Sequence, residues 1–214
     1  MTRHPRAIAQ GMSRLLAREP LLAQLVDAAG MPPPRREPAG FPTLLRIIVA
    51  QQVSTGAAAA IWARLAAAAA PLTPENLLAL PDETLRGAGL SRPKVAYARD
   101  LAARLADRRL NLARLARLDD EDAIAMLAAV KGIGRWSAEI YLMFAHGRPD
   151  MWPADDIAVQ AAFQHLRGLD ARPNGVLLRR HGEGFRPHRS AAALLLWHYY
   201  RHRVRAAMTD VLPG

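Results

Sequence analysis

The stretch V-K-G-I-G-R-W-S, residues 130–137, decides the fold, and W-P-A-D-D-I-A-V-Q, residues 152–160, follows shortly after it. Two glycines around one apolar residue make a tight turn between helices. The glycines allow positive φ and leave no Cβ between the main chain and an approaching phosphate. The amides beyond them open the next helix, where the dipole favours an anion. Such a contact reads no bases. An isolated G-x-G is more often the cap of an ordinary αα-corner. Here Lys131 and Arg135 flank the turn and Ile133 anchors it, so Lys131, Gly132, Gly134 and Arg135 are candidates for contact with a nucleic-acid backbone. The carboxylate pair Asp155-Asp156 then stands at the start of the next helix, which adds carboxylate chemistry to a backbone grip.

Composition agrees with that direction. A chain of 214 residues, 51% hydrophobic, has ample material for a buried core as one large domain or two small lobes. No basic start followed by a short apolar run is present, nor an uninterrupted apolar segment of roughly 18 residues, so neither secretion nor membrane insertion is expected. The expected setting is the bacterial cytoplasm, in association with the nucleoid. Without cysteine there is no disulfide, no thiolate-bound zinc and no Cys-ligated iron–sulfur cluster. The formal net charge of +10 points to a polyanionic partner, because side chains that neutralise phosphates release counterions. Of the 29 basic residues only Lys94 and Lys131 are lysines, an arginine bias that a GC-rich genome also produces. Charge alone therefore supports nucleic-acid binding without establishing it.

The chain reads as helices joined by turns. Leu44, Leu45, Ile48, Val49, Val53, Ile61 and Leu65 recur at helical spacing between residues 43 and 69, with Gly56 expected to bend or divide the stretch. Thr73 and Pro74 open a short helix over 75–80, and Ser91 with Pro93 opens one over 92–107. Asp119 or Asp120 caps the helix that runs to the Gly132-Ile133-Gly134 turn. Helices over 136–144, 156–166 and 190–208 follow, with a Gly- and Arg-rich connection around 182–184 before the last. No alternating run marks a strand, and the fold is read as all-α. L-R-G-A-G-L-S-R-P-K, residues 85–94, places a second Gly-x-Gly between helices, either as another backbone-contacting hairpin or as a simple C-cap.

The segment M-L-A-A-V-K-G-I-G-R-W-S-A-E-I-Y-L-M-F (126–144) with the downstream W-P-A-D-D-I-A-V-Q resembles the helix-hairpin-helix DNA glycosylase superfamily, and within it the DNA-3-methyladenine glycosylase II family of alkylation repair. F-P-T-L-L-R-I-I-V-A-Q-Q-V-S-T (41–55), G-L-S-R-P-K-V-A-Y-A-R-D-L-A (89–102) and R-P-H-R-S-A-A-A-L-L-L-W (186–197) resemble the same family, so the likeness covers most of residues 40–205. It implies a two-lobed helical helix-hairpin-helix glycosylase fold. Some members carry an N-terminal β-domain. Here about 40 residues precede Phe41, with Met31-Pro32-Pro33-Pro34 as a linker, so that domain is expected to be absent. The expected organisation is an N-terminal helical segment and Pro-rich linker, residues 1–39, packing on a glycosylase core of residues 40–214.

The resemblance also assigns roles. It places the catalytic aspartate on Asp156, with Asp155 as cap or structural partner. A lone Asp at a helix start would otherwise be read as a cap. Breaking the sugar–base bond builds positive charge on the deoxyribose, which one ionised carboxylate can stabilise while orienting water. An N-alkylated purine is cationic and leaves as a neutral base without a general acid. Trp136 and Trp197 match positions that line the base pocket, with Tyr141 a further candidate. Cation–π contact would hold the flipped base there, although core packing is the usual fate of a helical tryptophan. Gln51 or Gln52, with Gln52 favoured, would enter the duplex as the wedge, or the two amides cap backbone groups instead. Arg189 contacts a backbone phosphate or braces the active-site helix.

Strand-cutting members carry a lysine nucleophile just after the G-x-G turn, able to form a Schiff base. Trp136 stands at that position here, so the resemblance implies a monofunctional enzyme. The absence of cysteine separates the chain from the endonuclease III and adenine-mismatch branches, which usually carry a cluster. The seven histidines make no metal cluster, though His198 and His202 lie one turn apart. The family's hairpin can hold a structural Na+ or K+ through main-chain carbonyls, which implies Val130 and Gly132 here. No other cofactor is expected. The expected partner is double-stranded DNA containing alkylated bases, bound by a monomer with no membrane involvement.

Overall fold

Several helix starts in this chain are set by a side chain that takes one of the unpaired first-turn amides. Ser54 accepts from the Ala57 N–H at 3.2 Å and Thr73 from Asn76 at 3.2 Å. Asp119 accepts from Asp122 at 2.8 Å and Asn174 from Leu177 at 3.0 Å. In the computed structural model, which describes residues 5–204, the helices run in order α1 (Arg6–Arg18), α2 (Pro20–Ala29), α3 (Phe41–Ala50), α4 (Thr55–Ala68), α5 (Pro74–Ala79), α6 (Asp82–Gly87) and α7 (Arg92–Ala106). They continue with α8 (Asp120–Ala128), α9 (Arg135–Ala145), α10 (Ile157–Arg167), α11 (Gly175–Gly182) and α12 (Arg189–Tyr199). No strand occurs among the described residues, and the all-α expectation holds.

Two boundaries depart from expectation. Gly56 does not divide the 43–69 stretch. The break is at residues 51–54, where Gln52 adopts φ 55° and Ser54 caps α4, leaving Gly56 inside the first turn. Ser91 stands at the N-cap of α7 as expected, but its side chain makes no capping hydrogen bond. The last helix gives way after Tyr199 to a wider π turn, Tyr200–Val204. Its expected continuation to residue 208 lies outside the described residues.

The chain divides into two units. One is Glu37–Tyr141; the other takes the described residues up to Arg36 and from Leu142 onward, so the division falls inside α9. In the Glu37–Tyr141 unit α7 is central, packing against α3, α5 and α6. Its buried Val95, Ala98 and Leu101 recur every three residues, and they belong to a core that includes Leu44, Leu45, Ile48, Leu77 and Leu85. Each fully buried leucine contributes about 1.5–3 kcal/mol through area removed from water. In the other unit α12 is central and packs against α1, α2 and α10. Every residue from Ser190 to Leu196 is buried, as expected of a helix with small and apolar residues on every side. α1 contributes Ile8, Met12 and Leu15, and a Cβ on its Gly11 would collide with His188.

Candidate active site

The glycine turn is built from the inside. Val130 and Ile133 are buried, and the Ile133 N–H donates to the Val130 carbonyl at 3.1 Å. Gly134 then supplies the carbonyl that receives the Ala138 N–H at 3.0 Å and opens α9. The two glycines differ in kind. Gly132 has φ 78°, and a Cβ there would overlap the Tyr97 ring of α7, so a glycine is required for packing as well as conformation. Gly134 has no positive φ and nothing within 4 Å of its Cβ position. It is therefore Gly134, rather than Gly132, that leaves the main chain open to an approaching group.

The basic residues of the turn also separate. Lys131 is exposed, with its main-chain N–H bonded to the Asp100 carboxylate at 2.9 Å. Arg135 does not stand ready for a phosphate. Nη1 and Nη2 donate to Glu121 at 2.8 and 2.6 Å and Nε donates to Glu139 at 3.1 Å. Hydrogen bonding from Glu121 leads the contributions that raise its pKa above the ordinary arginine value, against the cost of burial. Two carboxylates already neutralise this guanidinium, which corrects its expected place among the backbone contacts.

In the turn between α3 and α4, Gln51 is half-buried and its Nε2 donates to the Gly132 carbonyl at 2.8 Å and to Ser137 Oγ at 3.2 Å. Gln52 is exposed. The two glutamines differ in geometry: Gln51 ties the turn to the hairpin, and Gln52, the favoured wedge, is exposed. Trp136, in the first turn of α9, is half-buried. Tyr141 is fully buried and its hydroxyl accepts from the Gly40 N–H at 2.8 Å. Burial raises its pKa, with the Gly40 bond opposing. A ring with no exposed surface is core, which corrects its expected place in a base pocket.

In the other unit the segment 152–160 is fixed at both ends. Trp152 Nε1 donates to the Leu178 carbonyl at 2.9 Å and Gln160 Nε2 to the Ala154 carbonyl at 2.8 Å. Between them Asp156, half-buried, is the N-cap of α10: its Oδ1 accepts from the Ala158 and Val159 amides at 2.9 and 3.0 Å. Capping therefore falls to Asp156 and not to Asp155. Asp155 is the structural partner, both of its oxygens receiving Arg179 Nη2 at 2.9 Å.

Of the two roles expected for Arg189, its bonds fit bracing, and its expected place among the backbone contacts is corrected. Its Nε and Nη2 donate to Asp150 Oδ1 and Oδ2, each at 2.9 Å, and its side chain is only 12% exposed. It braces the start of α12 and is not presented to a phosphate. Trp197, half-buried on α12, stacks on Phe144 with ring centroids 6.0 Å apart, and the Arg35 guanidinium lies 4.0 Å from the Phe144 ring centre. α10 packs on α12, so the helices that carry Asp156 and Trp197 are neighbours.

Residues 45–187 match the family model of the HhH-GPD superfamily base excision DNA repair proteins. The chain belongs to that superfamily. Within it, the chain belongs to the DNA-3-methyladenine glycosylase family: it is 32% identical over 167 residues to DNA-3-methyladenine glycosylase 1 of Schizosaccharomyces pombe, covering 76% of this chain and 72% of that protein. The structure of the S. pombe 3-methyladenine DNA glycosylase in complex with abasic DNA superposes with a TM-score of 0.76 at 28% identity, over 88% of this chain and 95% of that one. A DNA-3-methyladenine glycosidase from Bacillus halodurans gives 0.77 at 33% identity, over 89% of each chain.

Sequence reasoning passed over three residues of this HhH-GPD protein. Lys94 Nζ donates to the Val49 and Gln51 carbonyls at 2.7 and 2.6 Å; Asp100 receives the hairpin amide of Lys131; and Arg35 covers Phe144. The one available signal was the rarity of lysine: a chain that otherwise uses arginine keeps a lysine at residue 94. Among the described residues of this HhH-GPD protein no group of three or more His, Cys, Asp or Glu side chains is arranged to hold a metal ion. His198 Nε2 pairs with the Ala29 carbonyl at 2.8 Å, and its ring lies 4.4 Å from that of His202. The carbonyls of Val130 and Gly132 already accept from the Ile133 N–H and from Gln51. Each of these oxygens keeps a second lone pair.

Proposed function

We propose that the protein is a monofunctional DNA glycosylase of base excision repair. Acting as a monomer on double-stranded DNA, it extrudes an alkylated purine of the 3-methyladenine or 7-methylguanine type and hydrolyses its N-glycosidic bond, leaving an abasic site. The observation that carries the reading is the Asp156 carboxylate, oriented by two main-chain amides at the start of α10.

The chemistry asks little more of the protein. The C1′–N bond breaks with its electron pair passing to the base, which is cationic beforehand and leaves neutral. Asp156 stabilises the oxocarbenium-like sugar and takes the proton of the water that adds at C1′. Trp136 and Trp197 are assigned to the base, since an electron-rich ring attracts a cation. Gln52 is assigned to the space the base vacates. Lys131 and the open main chain at Gly134 are assigned to phosphate, supported by a net charge of +10.

Two features support hydrolysis without strand cleavage. Trp136 is the first residue after Arg135, where a lyase would carry its amine, and Lys94 has its amine committed to two carbonyls. The test is release of free base from methylated duplex DNA, with strand breaks scored before and after alkali. Free methylpurine with breaks only after alkali is expected; no released base overturns the reading. A covalent species trapped by borohydride would replace hydrolysis with a lyase mechanism.

A further inference from the structure

One face of α7 reaches both turns that the proposed function directs at DNA in the Glu37–Tyr141 unit. Lys94, Tyr97 and Asp100 are spaced by three and lie on the same side of the helix. Asp100 Oδ2 fixes the hairpin through the Lys131 amide at 2.9 Å, and Arg104 Nε supports the same oxygen at 2.8 Å. The Tyr97 ring packs where Gly132 has no Cβ. Lys94 acts on the other turn. Its ammonium bridges the carbonyls of Val49, in the last turn of α3, and Gln51, just beyond it.

The next residue is Gln52, whose φ of 55° is a left-handed conformation that a side chain with a Cβ adopts only at a cost of about 1–2 kcal/mol. Such a conformation persists only where its surroundings over-determine it. Here the determinants immediately before it are the Lys94 bridge to the Gln51 carbonyl and the Gln51 side chain on Gly132 and Ser137. A lysine suits this task better than an arginine: two carbonyls converge on one point, which a compact ammonium satisfies and a planar fork does not.

We propose that Lys94 is a positioning residue for base extrusion, holding Gln52 in the conformation that enters the duplex, in register with the hairpin. The inference rests on the glycosylase reading and deepens it. It requires that Lys94 act through Gln52, which a double-mutant cycle measures. Single-turnover release of an alkylated purine from duplex DNA is compared for the full-length wild type, Lys94→Met, Gln52→Ala and the double variant. Losing charged hydrogen bonds should slow Lys94→Met about tenfold to a hundredfold, with little further loss when Gln52 is already alanine. Wild-type rates for Lys94→Met, or losses that multiply in the double variant, overturn the inference. Should Lys94→Met fail to fold, the cycle is run with Lys94→Arg, which keeps the charge and alters the geometry. A smaller loss that vanishes in the Gln52→Ala background is then expected, and a multiplicative one overturns the inference. A wild type that releases no base defeats the glycosylase reading, and this inference with it; a wild type that excises while the losses multiply defeats the inference alone.

Discussion

Arg189 and Asp150 meet fork to carboxylate, through two hydrogen bonds of 2.9 Å between side chains that are 12% and 11% exposed. Removing Arg189 takes both bonds from Asp150 and leaves it with Arg186 Nη1 at 3.1 Å. Arg189→Ala is therefore expected to lower the free energy of unfolding by about 1.5–3 kcal/mol, read by urea denaturation. The pair also sets Arg189 apart from Lys131. Replacing a phosphate-contacting cation reduces the salt slope of duplex binding by about 0.9. Lys131→Ala should show that reduction, and Arg189→Gln should bind with the wild-type slope. A lowered slope for Arg189→Gln would restore Arg189 to the DNA interface.

Asp156 carries two duties that substitution can separate. Asparagine is as good an N-cap as aspartate, whereas alanine costs about 1 kcal/mol. Asp156→Asn should unfold at the wild-type urea midpoint, and Asp156→Ala at a lower one. Both should lose excision by at least about a hundredfold, since neither supplies a negative charge to the developing oxocarbenium. If Asp156→Asn excised at the wild-type rate, the carboxylate would be a cap and nothing more. If Asp156→Asn bound lesion DNA normally and the wild type released no base, the chain would instead be a non-catalytic DNA-binding module.

The glycines of the hairpin should fail in different assays. Gly132→Ala must accept φ 78° and displace the Tyr97 ring, so a loss of about 2 kcal/mol or more in stability is expected. Gly134→Ala meets no such obstacle and should fold like the wild type while binding duplex DNA more weakly, as read by fluorescence anisotropy. Equal stability of the two variants would mean that Gly132 tolerates a side chain.

How much of this was legible in the sequence follows from how local each feature is. Thr73, Asp119 and the Gly132 turn act within a few residues of themselves, and the chain announces them. α11 is less visible, because its opening signal is the single Asn174 and its body mixes Arg179, Arg180 and His181 with two glycines. The break at Gln51–Ser54 lacks the glycine that usually marks a bend: it carries a left-handed Gln52, next to a Gln51 carbonyl that accepts from a lysine 43 residues away. Arg135, Arg189 and Tyr141 show the same limit. Their side chains suit the roles that resemblance implied, but their partners Glu121, Asp150 and Gly40 lie 14, 39 and 101 residues away. Residue type is local; which charge is already neutralised is not.

The Asp100 carboxylate gives the hairpin a pH dependence whose sign can be worked out. Burial would raise its pKa, but hydrogen bonds from the Lys131 amide and Arg104, with the charges of both residues, outweigh it and hold the group below its ordinary value of 3.8. A depressed folded value means that the stabilisation is fully present above 3.8 and is lost as the pH falls through the lower folded value. Between the two the unfolded chain binds a proton that the folded chain does not, so stability rises with pH across that window. Asp100→Asn keeps an acceptor for the Lys131 amide and removes the titration. Urea denaturation at pH values spanning 3.8 should therefore give the variant a shallower rise than the wild type. Parallel curves would mean that Asp100 does not hold the hairpin as a charge, and that the Lys131 contact is an ordinary neutral hydrogen bond.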